Sequence, residues 1–84
     1  MARKKILLDF LAAADEIDLD RMKDLWSEHS SDIARRMHKI EVLETYDFFE
    51  RHGMNSERDE LYDLATRYNH SASQALIAVK YIRG

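Results

Sequence analysis

Apolar residues recur every three or four positions along most of this chain, the spacing that places them on one side of an α-helix. From about residue 4 to residue 15 the repeat predicts a first helix, whose expected buried stripe is Ile6, Leu7, Phe10, Leu11, Ala14 and Ile17. A second helix is predicted to begin at Asp18 or Asp20, because either carboxylate can accept hydrogen bonds from the first free amides. Its stripe comprises Leu19, Met22, Leu25 and Trp26.

Residues 29–32 contain side chains that can cap the start of another helix. We therefore predict a break near Ser30 and a third helix that starts at Ile33 and reaches about His52. An unbroken helix would contain about 34 residues and extend roughly 50 Å, too long for a core of this size to cover. The sequence leaves open whether the second and third helices are continuous. Gly53 is expected to end the third helix, because a left-handed residue is favoured at that position.

The last two helices are predicted from two approximate capping boxes, Ser56 with Asp59 and Ser71 with Gln74. Asn69 can adopt the left-handed conformation and is expected to end the fourth helix. With no proline and only two glycines, the chain should be mostly helical. The prediction is one all-α domain, residues 1–84, forming a compact bundle of four to five short helices. Its C-terminal pair is joined by a tight turn that contains Asn69.

Two of the predicted helices carry apolar residues on more than one side. The third has a broad face of Ile33, Met37, Ile40, Leu43 and Phe48, opposed by Val42, Tyr46 and Phe49. The last has a stripe of Ala72, Ala75, Leu76, Val79 and Ile82, opposed by Ile77 and Tyr81. A helix that is apolar all round must be covered all round, and five short helices can enclose one such helix but hardly two. We therefore expect a protein-binding surface drawn from Val42, Tyr46, Phe49, Ile77 and Tyr81, although scattered apolar residues are also common on ordinary surfaces.

Charge is unevenly distributed along the chain. The formal net charge is −3, yet the last 21 residues contain Arg67, Lys80 and Arg83 and no acid. Folding mixes such blocks in space, and a solvated surface of mixed charge is the ordinary result. The functional alternatives are an acidic face that meets a basic partner and a basic C-terminal strip that meets phosphates.

The stretch DLATRYNHSASQALIAVKY, residues 63–81, resembles a helix-turn-helix motif. The resemblance implies a DNA-binding transcriptional regulator that uses residues 57–83. The side chains of Ser71, Ser73 and Gln74 could then touch phosphates or base edges. Phosphate contacts would come from Arg67, Lys80 and Arg83.

Several features argue against that alternative. His70 stands just past the turn, where the motif favours an apolar residue. The first two turns of the last helix contain no arginine or lysine, although base contacts are made there. The net acidity opposes binding to phosphates. We therefore favour a protein over nucleic acid as the partner.

Catalytic and metal-binding patterns are absent from the sequence. There is no cysteine, and the four histidines have neither HExxH nor Glu-x-x-His spacing. No glycine-rich phosphate loop occurs. We expect no enzymatic activity, no cofactor and no metal. The longest apolar run near the N-terminus, residues 6–8, is too short for a signal peptide or a membrane span, so we expect a cytoplasmic protein without a membrane partner.

These patterns together predict a small non-enzymatic regulator, adaptor or inhibitor. It would act by occupying a surface of another protein through apolar and aromatic helix faces. A second copy of the chain is the simplest partner, and a homodimer related by a two-fold axis could cover the outer faces of helices three and five.

Overall fold

The computed structural model describes residues 3–83, and of Arg83 only the backbone. These residues form five helices: α1 (Lys5–Asp15), α2 (Leu19–Arg36), α3 (Lys39–Arg51), α4 (Asn55–Tyr68) and α5 (His70–Arg83). Helix α4 contacts α2, α3 and α5, while α1 packs on α2 and α5 also packs on α3. The predicted all-α bundle of short helices is confirmed.

Three aromatic rings from different helices meet in the core. Phe10 of α1, Trp26 of α2 and Phe49 of α3 are each at most 2% exposed. Their ring centroids lie 5.3 to 6.2 Å apart in tilted or edge-on arrangements. Such pairs contribute about 0.5–1.5 kcal/mol beyond the area they bury. The trio therefore joins the first three helices through one shared contact.

The second and third helices are divided at a different place from the predicted one. The expected break near Ser30 is a kink at His29, with φ −134° and ψ 22°, inside a helix that continues to Arg36. The helix is broken instead at Met37 and His38, which are both extended. The Glu41 carboxylate accepts a hydrogen bond from the His38 amide at 2.9 Å, and α3 begins there. No glycine, proline or asparagine marks this helix break in the sequence.

Helix α3 begins at Lys39 rather than at the predicted Ile33, and the face it buries differs from the one that periodicity assigned to it. Val42, Tyr46 and Phe49 are 0%, 8% and 0% exposed and belong to the core. Ile40, expected on the covered side, is 58% exposed. The prediction that Val42, Tyr46 and Phe49 contact a partner was therefore wrong. The prediction had run one apolar stripe from Ile33 through Met37 to Ile40 on a single helix. Because the helix is broken at residues 37–38, α3 instead buries a separate stripe of its own.

Helix α1 ends in an unusual backbone conformation. The Ile17 amide donates to Ala14 O at 3.0 Å and the Asp18 amide donates to Ala13 O at 2.9 Å, which is the Schellman pattern. Ile17 adopts φ 55°, although a β-branched residue disfavours positive φ. Its side chain is 59% exposed, so the expectation that it joins the buried stripe was wrong. Of the two predicted caps of α2, Asp18 and Asp20, it is Asp18 that accepts from the Arg21 amide, at 3.2 Å.

The same pattern at Gly53 ends α3, and here the residue suits the conformation. Gly53 has φ 70°. The Met54 amide donates to Phe49 O at 2.8 Å, and both side chains are buried. The predicted helix stop is confirmed. The predicted cap at Ser56 was wrong, because α4 already begins at Asn55.

Asn69 separates α4 from α5 and reaches a third helix. Its φ of −131° is not left-handed, contrary to the prediction. Its buried amide nitrogen donates to Met37 O at 2.8 Å and to Ala34 O at 3.1 Å. Its backbone oxygen accepts from the Ser73 amide at 2.9 Å, so Asn69, rather than Ser71, stands at the start of α5.

Replacing Ile17 by glycine should stabilise the protein by about 0.5–1 kcal/mol. Relief of the left-handed conformation contributes about 1–2 kcal/mol, and the greater freedom of unfolded glycine offsets part of it. The melting temperature should rise by several degrees. Ala12→Gly, in the middle of α1, is the matched control and should destabilise by about 1 kcal/mol. A fall in melting temperature for both variants would contradict the strain at Ile17.

Replacing Asn69 by alanine should destabilise the protein by about 2–3 kcal/mol in urea unfolding, because buried carbonyl groups lose their donor. Asn69→Asp should not rescue stability at neutral pH. It keeps a cap oxygen but places a carboxylate against the carbonyls of Ala34 and Met37. Asn55→Ala, at an exposed position, should change stability by no more than about 0.5 kcal/mol. Equal effects at the two asparagines would disprove the bridging role.

Candidate functional site

Helix α5 packs one side into the bundle and presents the other to solvent. Ala72, Ser73 and Leu76 are buried. On the other side Ile77 is 49%, Tyr81 87% and Ile82 82% exposed. We call the surface formed by Ile77, Ala78, Tyr81 and Ile82 the outer face of α5. It is the most exposed apolar surface on a single helix in the described part of the chain.

Helical spacing makes this outer face continuous. Residues 77 and 81, and residues 78 and 82, are four apart and therefore neighbours on the helix surface. Ile77 and Tyr81 lie where the sequence placed them, away from the bundle. Ile82 was assigned to the buried stripe, and that assignment was wrong. Periodicity cannot show which side of a helix that is apolar all round will be covered, because contacts with α3 and α4 decide it.

A groove lies between α1 and α3, with α2 beneath it. It encloses about 460 Å³. Its apolar lining consists of Leu11, Ala14, Met22 and Phe48. Of these, Met22 is buried and the other three are partly exposed. This groove could not be predicted from the sequence, because periodicity assigned Phe48 to a covered face.

Carboxylates surround the mouth of the α1–α3 groove. Glu41 accepts hydrogen bonds from both terminal nitrogens of Arg3, at 2.8 and 2.5 Å, and these hold the pKa of its carboxyl below the ordinary range. Asp47 pairs with Arg51 at 2.9 Å. Asp15 and Glu44 also line the groove, and neither forms an ion pair with another residue of the described range. The groove thus combines an apolar lining with four carboxylates and the guanidinium of Arg51.

Most of the residues that the DNA-binding alternative would use are buried or already in contact with other residues of the chain. Ser73 is 6% exposed and donates to His70 O, so it cannot reach a base. Lys80 lies over the Tyr62 ring, 4.4 Å from its centroid, and Arg67 pairs with Asp63 at 3.4 Å. Ser71 and Gln74 are exposed, and the Ser71 hydroxyl donates to Asn69 Oδ1. The side chain of Arg83 lies outside the described residues.

Metal-binding groups and membrane-spanning helices are absent from the part of the chain that the structure describes. No group of three or more His, Asp or Glu side chains among them could hold a metal ion. Nor does any helix in this range have the length and apolarity to cross a membrane. The indole nitrogen of Trp26 is buried without a hydrogen-bond partner, within the aromatic trio.

Comparisons with protein families, with curated proteins and with solved structures found no match to this chain. The surfaces described above are therefore the basis for the functional argument.

Ion pairs tie the start of the chain to α2. Asp32 accepts hydrogen bonds from Lys4 and from Arg35, each at 2.8 Å. These two contacts lower the pKa of Asp32 to about 2 from an ordinary value of 3.8. Because the folded pKa is depressed, the stabilisation is present above about pH 4 and is lost as the pH falls towards 2.

Asp32→Asn should therefore lower the melting temperature at neutral pH, and its difference from the unmodified protein should shrink between about pH 4 and pH 2. Thermal melts followed by circular dichroism across this range measure the effect. Asp24→Asn removes an exposed carboxylate that forms no ion pair with the described residues and should show no such convergence. A difference for Asp32→Asn that stays constant down to pH 2 would rule out the stabilising contacts to Lys4 and Arg35.

Proposed function

We propose that this chain is a small, non-enzymatic cytoplasmic regulator, adaptor or inhibitor that binds another protein through the outer face of α5. One observation carries the proposal. Ile77, Tyr81 and Ile82 stand exposed on one side of a helix whose other side is built into the core. Burying side chains of this size contributes roughly 1.5–3 kcal/mol each. Contiguous exposed apolar surface of this kind marks binding sites in soluble proteins.

Tyr81 is the expected anchor of the contact. It is 87% exposed, so nearly all of its side-chain surface is available for burial. Tyrosine is enriched among the residues whose loss weakens protein interfaces most, because its ring is large and its hydroxyl can still find a partner. Helix α5 itself contains no acidic residue. A partner surface that is apolar and edged by carboxylates would therefore complement it.

The helix-turn-helix alternative has less support. Reading DNA would require the exposed N-terminal part of α5 to enter the major groove. That part offers Ser71 and Gln74 but no cation, and Ser73 is buried. Lys80 already contacts Tyr62. Phosphate neutralisation, the main source of nonspecific DNA affinity, would have few contributors.

The proposal is tested by capturing partners from an extract of the native host with the immobilised full chain. Tyr81→Ser should reduce recovery of a bound protein at least about tenfold, since truncating an anchor residue commonly costs more than 1.4 kcal/mol. Tyr68→Ser is the matched control, because Tyr68 is a 51% exposed tyrosine at the end of α4. It should leave recovery unchanged, and both variants should keep the melting temperature within a few degrees.

Recovery that is insensitive to Tyr81→Ser would refute the proposal. Recovery of nucleic acid alone would favour the alternative, particularly if binding fell steeply with salt and weakened in Lys80→Ala.

A further inference from the structure

We propose that two copies of this chain exchange helix α1 at high concentration, so that α1 of each copy packs on α2 of the other. The exchange opens the turn at residues 16–18, and α1 then continues into α2 as one helix. The product is a closed dimer with a two-fold axis. It goes beyond the proposed function and uses α1 rather than the outer faces of α3 and α5.

The turn between α1 and α2 holds a residue in a backbone conformation that it disfavours. Ile17 has φ 55°, in the left-handed region, where a β-branched side chain is crowded. The side chain is also 59% exposed, so little burial offsets the cost. A short hinge under strain favours exchange, because only the closed form of the chain contains the strained turn.

The sequence of this turn is compatible with a continuous helix. Residues 16–18 are Glu, Ile and Asp, with neither glycine nor proline among them. Ile17 follows Phe10 by seven residues, close to two full turns, so a continuous helix would place both side chains on the same apolar side. Residues 5–28 would form a helix of roughly 36 Å that ends at the kink at His29. Opening therefore relieves the strain and moves an exposed isoleucine onto an apolar side.

The surface that α1 vacates fits one occupant. Helix α1 packs chiefly on α2. Its side chains Leu7, Phe10 and Ala13 are at most 1% exposed, so its departure alone would expose a buried stripe on each side of the contact. The α1 of a second copy carries the identical side chains and restores every buried contact. Exchange between copies is thus the way to open the turn without losing the core.

An ion pair marks which α1 is seated on a given α2. Lys4 Nζ lies 2.8 Å from Asp32 Oδ2, and this pair joins the start of α1 to α2. After exchange the same pair forms between two copies. Lys5 Nζ lies 3.1 Å from Asp9 Oδ2 within α1, so this second pair stays inside one chain in either form.

Cross-linking of mixed chains measures the exchange directly. Equal amounts of isotope-labelled and unlabelled chain are refolded together from urea at about 500 µM, and dimer and monomer are separated by size. A carbodiimide then joins paired lysines and carboxylates, and mass spectrometry identifies the products. In the dimer, about half of the Lys4–Asp32 cross-links should combine a labelled with an unlabelled peptide, because random pairing gives that share of mixed dimers. The monomer should give none, and Lys5–Asp9 cross-links should never be mixed.

Two hinge variants should shift the dimer in opposite directions. Ile17→Gly relieves the closed turn and weakens a continuous helix, so it should raise the dissociation constant at least about a hundredfold, roughly tenfold for each of the two hinges. Asp18→Ala removes the cap that only the closed form needs and should lower the constant at least about tenfold. Ala12→Gly is the matched control. Residue 12 is helical in both forms, so the constant should not change.

Tyr81→Ser should leave the dimer unchanged, which separates the exchange from any contact made by α5. A chain that stays monomeric after refolding at this concentration would overturn the proposal. So would a dimer whose Lys4–Asp32 cross-links all stay within one chain, or one that Ile17→Gly does not weaken. Loss of the dimer in Tyr81→Ser would overturn it as well. The proposed function is decided separately, by capture of a protein partner through Tyr81.

Discussion

The side chain of Asn69 satisfies backbone groups of two helices that are distant in sequence. Its amide nitrogen donates to the carbonyl of Ala34, 35 residues earlier, and to that of Met37. Carbonyls at the end of an α-helix have no partner within the helix, and burying them unpaired is costly. The Asn69 oxygen meanwhile accepts from the Ala72 amide at 3.4 Å at the start of α5. One side chain thus completes the end of α2 and the start of α5.

The orientation of the neighbouring helices follows from this junction. Asn69 pairs the carbonyls of Ala34 and Met37 where α2 ends, and α3 begins at Lys39, after the two extended residues 37 and 38. That start directs Val42, Tyr46 and Phe49 into the core. On the other side of the junction, the start of α5 fixes which of its faces meets α3 and α4. The exposed outer face of α5 and the α1–α3 groove are both consequences of where these helices begin.

Local sequence signals predicted the helix caps and stops that depend on neighbouring residues. They did not predict the helix break and the buried faces that depend on residues distant in sequence. Four to five helices, a cap at Asp18 or Asp20 and the stop at Gly53 could be predicted, because each reflects chemistry within a few positions. The break at residues 37–38 was not predicted, and the carbonyls of Ala34 and Met37 beside it are paired by the distant Asn69. The same limit explains the candidate site: Ile77 and Tyr81 were placed correctly on the exposed side of α5, while three residues of α3 were not.

The reach of Asn69 also sets an order of events for a growing polypeptide. While the chain is being made, the carbonyls of Ala34 and Met37 have no buried donor until residue 69 has left the ribosome. Helix α4, which contacts α2, α3 and α5, is complete only at Tyr68. The first three helices therefore lack both their central neighbour and their polar junction until the chain has been made at least as far as residue 69.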